Sequence, residues 1–177
     1  MARTATLLFA AALAAGSLAS AAAADMTARQ MLIAQRGADV IPFTLAATAH
    51  IFTKTADGGV QQVVTKRDDP QQAELIGQHL AMVAQQFAAG DFVGPEHIHG
   101  KTMPGLAALR AAKPGELEVA YRDLSNGGEI ANRTDQPRLV TALHQWFDAQ
   151  LSDHGHDAMA GHSPDTMHHH AAGTAPE

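Results

Sequence analysis

The feature that most constrains this chain is an order of signals that occurs twice. A strand-like run, a turn made of Asp or Asn before two glycines, a second strand-like run and a proline-started helix follow one another at both places. In the first, residues 44–54 are rich in β-branched and aromatic types, Asp57-Gly58-Gly59 makes the turn and residues 60–66 return. Glycine at such a turn adopts positive φ without steric cost, which favours a tight hairpin. Asp68-Asp69-Pro70 then opens a helix to about Ala89, an acid placed to cap and a proline in the first turn. Ile76, Leu80, Val83 and Phe87 share one face of it, and Gly90 ends it. In the second, residues 116–122 alternate, Asn126-Gly127-Gly128 turns, residues 129–134 return, and Asp135-Gln136-Pro137 opens a helix to about Ser152. Its apolar face reads as Val140, Leu143, Phe147 and Leu151, and the two helices align at a constant offset, as a duplicated unit would. The expected fold class is α+β: two ββα units forming a four-stranded, mainly antiparallel sheet with two long helices on one face. Between the units, residues 91–105 carry Gly94, Pro95, Gly100, Pro104 and Gly105 and read as a loop, followed by a short helix at about 104–112.

The ends of the chain set its compartment. Arg3, the apolar stretch Leu7–Ala15 and Ala22-Ala23-Ala24 before Asp25 have the order of a cleavable secretory signal peptide, so residues 1–24 are expected to be removed and the rest to be periplasmic or secreted. Residues 25–40 then form a polar lead-in, 41–153 a single domain, and 154–177 a disordered tail rich in His and Met. No membrane contact is expected after cleavage. Lys and Arg number 12 against 18 Asp and Glu, which is a poor balance for holding phosphates, so nucleic acid is not an expected partner. The chain has no cysteine, which excludes thiol catalysis, disulfides, thiolate zinc sites and thioether-linked haem.

Histidine is the residue in excess. There are eleven, all beyond the signal segment, and the last seven start at His144. The tail places His154, His156, Met159, His162, Met167, His168, His169 and His170 close together. Neutral imidazole takes Cu(II), Ni(II) and Zn(II), whereas thioether prefers Cu(I), so a mixture of the two in an exported segment suits copper, with zinc or nickel as the other ions. In the loop, His97 and His99 are two residues apart and would face one side if extended, with Glu96 or Met103 near. His50 lies in the first strand, while His79 and His144 lie beside apolar helix faces, positions where a histidine is ordinarily a hydrogen-bonded core residue. A haem held by a His pair stays open. Enzyme signatures are thin: there is no Gly-x-Ser-x-Gly, no phosphate loop, no His-Glu-x-x-His and no dinucleotide fingerprint. Asp148 or Asp153 with His144 would be an acid–base pair, a combination that any histidine-rich chain offers.

Several stretches together resemble a group of small bacterial proteins that often carry the name aspartate carbamoyltransferase. They are His50-Ile51-Phe52-Thr53-Lys54-Thr55, Asp57-Gly58-Gly59-Val60-Gln61, Gly90-Asp91-Phe92, Ile98-His99-Gly100, Met103-Pro104-Gly105-Leu106 and residues 146–155 from Trp146 to Gly155. The resemblance covers roughly residues 48–156, and its motif histidines fall on His50, His99 and His154. It transfers motifs and not a mechanism, and the Ser-Thr-Arg-Thr type of motif that binds carbamoyl phosphate is missing, so carbamoyl transfer itself is not expected.

The sequence is thus read as an exported transition-metal-binding protein, with copper buffering or carriage as its role and metal ions as its partners. Its candidate ligands are His97 and His99 with His50, His79, His144 or His154, together with the tail residues. A periplasmic interaction or scaffold domain with a protein partner and a passive tail is the alternative, and a small periplasmic enzyme using His and Asp is a further one.

Overall fold

A computed structural model describes residues 28–162. The signal segment and the tail ligands Met167, His168, His169 and His170 lie outside the described residues. Helix α1 (28–38) leads into a 3-10 turn at Leu45–Ala47 and the hairpin β1 (Thr48–Thr55) and β2 (Gly58–Thr65). Helix α2 (Pro70–Ala88) follows, then the short helices α3 (Val93–His99) and α4 (Leu106–Arg110), the hairpin β3 (Glu118–Leu124) and β4 (Gly127–Arg133), helix α5 (Pro137–His154), and strand β5 (Ala158–Ala160). No helix among the described residues is long and apolar enough to cross a membrane.

The expected four-stranded sheet is corrected to a five-stranded mixed one, ordered β3-β4-β2-β1-β5, and the two expected long helices are joined by three shorter ones. The fifth strand pairs parallel to β1, with His50 opposite Ala158 and Phe52 opposite Ala160. Ala158-Met159-Ala160 has no β-branched residue and no alternation to announce it. It is a strand because the edge of β1 offers unpaired backbone groups, a contact extended when the Gly161 N–H donates to the Phe52 carbonyl at 2.9 Å. Ordered chain therefore continues past residue 153, where the tail was expected to begin.

The two ββα units are related by a local two-fold relation, because β2 and β4 pair antiparallel at the sheet centre. The Thr65 N–H donates to the Asn126 carbonyl and the Thr134 N–H donates to the Asp57 carbonyl, both at 2.9 Å, so each hairpin turn is held by the end of the other hairpin. Each long helix also covers the other unit's strands. Phe147 of α5 lies on Gly59 of β2, where an added Cβ would overlap the ring, and Leu80 of α2 lies 3.2 Å from where a Cβ on Gly128 of β4 would stand. The second glycine of each turn motif is thus a close-approach site for a helix.

The core divides along the same lines. Ile76, Leu80 and Ala84 of α2 close over Phe43, Val63 and Ile130, while Leu139, Leu143, Trp146 and Phe147 of α5 close over Phe52, Phe87, Phe92, Leu106 and Leu109. The buried stripe of α5 is Leu139, Ala142, Leu143, Trp146, Phe147, Gln150 and Asp153. Val140 and Leu151, expected on that face, are only half-buried at its flanks. The stripe is apolar for its first turns and polar for its last, which places the site described below.

Helix α2 starts as the sequence predicts. The Asp69 side chain accepts from the Gln72 N–H at 3.1 Å, and Pro70 supplies the first helical residue. Asp69→Ala is expected to cost about 1 kcal/mol, the usual worth of a lost cap. A urea titration followed by circular dichroism would show a lower midpoint with unchanged slope.

Candidate functional site

Three histidines from three elements meet where the polar end of α5 crosses β1. His50 stands on β1 at a position that faces the helices, as Phe52 does two residues on, and it is buried. His99 is the last residue of α3 and is buried. His154 is the last residue of α5 and is partly buried. The rings of His50 and His154 stack nearly parallel, 4.7 Å between centroids and 19° between planes, and the His99 ring meets that of His154 edge-on at 5.2 Å.

The orientation of His99 is fixed from behind. Its Nδ1 lies 2.8 Å from Oδ2 of Asp153, which is buried on the stripe of α5. A carboxylate only accepts, so Nδ1 carries a proton and Nε2 is the nitrogen turned away from Asp153. Asp153 is held in turn by Arg29 of α1, with Nε at 2.5 Å from Oδ1 and Nη2 at 2.8 Å from Oδ2; the same Nη2 reaches the His99 carbonyl at 3.3 Å. Burial raises the Asp153 pKa, but the hydrogen bonds from His99 and Arg29 outweigh it and hold the carboxyl below its ordinary value. Asp153 thus pairs with His99, and not with His144.

Burial pushes the His50 pKa down to about 4, with the neighbouring His99 and His79 adding to the effect against the pull of Asp157. Burial, with His50 and His99 close by, pushes His154 down to about 3. Both rings are therefore neutral at neutral pH and present a lone pair each. Neither ring nitrogen of His50 has a hydrogen-bond partner, an unusual state for a buried polar group.

The cluster forms the floor of an apolar cleft of about 330 Å³ between α2, α3 and α5, into which His79 also projects. His79 packs edge-on to Phe43 at 5.7 Å, and burial lowers its pKa. His50 and His154 also line a second cavity of about 320 Å³ on their other side, with Met31, Asp157 and His156 around it. The pair thus lies between two cavities.

The remaining sequence candidates do not join the cluster. Residues 93–99 are a helix and not an extended loop, because Pro95 falls in the first turn, where its missing N–H costs nothing, and the Asp91 side chain accepts from the Val93 N–H at 2.9 Å. Two residues apart on a helix is about 200° of rotation, so His97 and His99 point in different directions. His97 is half-exposed, 3.9 Å from Asp39. Glu96 is bound by Arg110, and Met103 is buried in the core. The Nε2 of His144 bridges the Thr55 and Gly58 carbonyls at 3.0 and 2.9 Å, so this histidine fastens the first hairpin to α5. His156, Met159 and His162 are exposed.

Sequence reasoning singled out His50, His99 and His154 together only through the family resemblance, and it missed Arg29 and Gln150. The signal for Gln150 and Asp153 was their position on the stripe of α5, one and two turns beyond Trp146. Among the described residues no group of three or more His, Asp or Glu side chains already surrounds one point as an ion requires. No protein-family profile, curated protein or solved structure matches the chain.

Proposed function

We propose that this is an exported transition-metal-binding protein, with copper as its ion and buffering or carriage as its role, and that its ordered site is His50, His99 and His154. The observation that carries the reading is the meeting of three imidazoles, two of them neutral through burial and the third aimed by a buried carboxylate. Metal-binding histidines ordinarily donate their other N–H to such a carboxylate. The centroid spacing fits such a site, although the stacked rings of His50 and His154 do not aim their in-plane lone pairs at one point. With a metal–nitrogen bond of about 2.1 Å, two imidazoles on one tetrahedral ion have centroids roughly 5 Å apart. The observed separations are 4.7 and 5.2 Å. Taking up an ion requires the rings to turn toward a common point, and His50 gives up no hydrogen bond in doing so. The choice of copper rests on the mixture of His and Met in residues 154–170. The tail would collect ions and the cluster would hold one.

The test is a titration of the untagged, chelator-stripped protein with Cu(I), Cu(II), Zn(II) and Ni(II) against a competing chelator. A full-length variant with His162, Met167, His168, His169 and His170 all changed to alanine is measured beside it. One tightly held ion per chain is expected to survive in the tail variant and to be lost when His50→Ala and His99→Ala are added. Binding that disappears with the tail ligands alone would remove the ordered site, and no binding by any form would end the metal reading.

The pair His99–Asp153 at the floor of a cleft is also the arrangement of a general base, so a His/Asp-dependent enzyme is the second reading. It requires turnover that His99→Gln abolishes in the metal-free protein.

A further inference from the structure

The cleft above the histidines holds more than an ion needs. Its walls are apolar, with Phe43, Phe87, Leu80, Val83 and Ile98 among them, whereas its floor carries buried polar atoms with no partner: both ring nitrogens of His50, Nε1 of Trp146 and Oε1 of Gln150. Trp146 is 1 % exposed, and His50 and Gln150 are each 5 % exposed. Buried polar groups are ordinarily paired, so several orphaned ones beneath one cleft point to an occupant with matching groups. An apolar pocket with a few convergent polar atoms is the ordinary form of a small-molecule site.

We infer that this cleft binds a small, uncharged, hydroxyl-bearing aromatic molecule of the phenol class, ring toward the α2 wall and hydroxyl on the floor. The head group follows from the floor. Trp146 Nε1–H only donates, so it needs an acceptor, which excludes an ammonium. Gln150 Oε1 only accepts, so it needs a donor. A hydroxyl is both. No Lys or Arg lines the cleft, Arg29 is taken by Asp153, and Asp91 stands at the rim, so a carboxylate head has no counter-charge. The body follows from size. A dry cavity of about 150 Å³ takes benzene, and roughly twice that volume takes a ring with a short alkyl arm or a second ring. The rim agrees: Val40, Met82 and Val93, three of the six exposed large hydrophobic residues among those described, border this one cleft. The head group is read from Trp146 and Gln150, which the metal reading does not use, so the site stands whether or not that reading does.

Trp146 is the only tryptophan in the chain and reports directly on the floor. The test titrates the chelator-stripped, full-length protein with 4-butylphenol, exciting at the red edge of the indole band. Butylbenzene and 4-butylbenzoate, which share the body but change the head, are titrated in parallel by calorimetry. The expected result is one saturable site for the phenol, at least about tenfold tighter than for butylbenzene and tighter than for the benzoate. Val83→Phe, which fills the cleft from its half-exposed wall, is expected to abolish binding with an unchanged circular-dichroism spectrum. Gln150→Leu is expected to bring the phenol and butylbenzene affinities together. Absence of a saturable signal with the phenol, equal affinity for butylbenzene in the unaltered protein, or preference for the benzoate would each overturn the inference.

Discussion

Gly105→Ala is expected to destabilise the protein by about 2–5 kcal/mol, combining a left-handed backbone with a closed contact. Gly105 has φ of 78°, a conformation that costs an L side chain strain. An added Cβ would overlap the Ala142 carbonyl oxygen and come within 2.9 Å of its carbon and 3.1 Å of the Trp146 nitrogen. These are backbone atoms of α5, which cannot step aside as a side chain can. The Met103-Pro104-Gly105-Leu106 motif is thereby explained as a packing device: Met103 and Leu106 are buried, and the glycine between them lets α4 seat on α5. The displaced helix is the one that carries Trp146, Gln150, Asp153 and His154, so site and stability are linked through this contact. Urea unfolding followed by Trp146 fluorescence measures it. Gly94→Ala is the internal control, since a Cβ there meets nothing within 4 Å, and it is expected to change stability by less than about 0.5 kcal/mol. Equal stability of the two variants would show that α4 shifts freely and that the motif glycine has another reason.

The contrast between what the sequence announces and what it conceals has a physical origin in the range of each interaction. Both hairpins are written locally, because Gly58 and Gly127 sit at φ of 153° and 154° and no other residue makes those turns without strain. Both long helices are written locally too, through Pro70 and Pro137 at their first turns. Strand β5 is not, because its pairing is dictated by the free edge of β1, about a hundred residues away in the chain. Helix α3 was hidden by a true rule applied at the wrong register: Gly94 and Pro95 break a helix in its middle but not in its first turn. The cluster is the extreme case. His50, His99 and His154 lie on elements with no sequence spacing in common, and only the closing of α3 and α5 over β1 unites them. His97 and His144, equally prominent in the sequence, serve a surface contact and a hairpin clasp.

Asp153→Ala is expected to weaken metal binding by about 10–100-fold, the usual consequence of removing the carboxylate behind a ligating histidine. It is also expected to cost about 2–3 kcal/mol of stability. Breaking a buried ion pair on one side costs about 3–5 kcal/mol, and the contribution of Arg29 is reduced because its side chain is 51 % exposed and water can replace its partner. His99 has no such substitute, since its side chain is 3 % exposed and its Nδ1–H would be left facing the methyl group of alanine. Asp153→Asn separates the two roles. Its carbonyl oxygen still accepts from Nδ1–H of His99, so ring orientation and most of the metal affinity are expected to return. The charge that holds Arg29 and α1 does not return, so part of the stability loss remains. Chelator competition reads the first quantity and urea unfolding the second. If Asp153→Ala lowers stability while its metal affinity stays that of the unaltered protein, Asp153 serves only to tie α1 to α5, and the aimed nitrogen of His99 ceases to support the site.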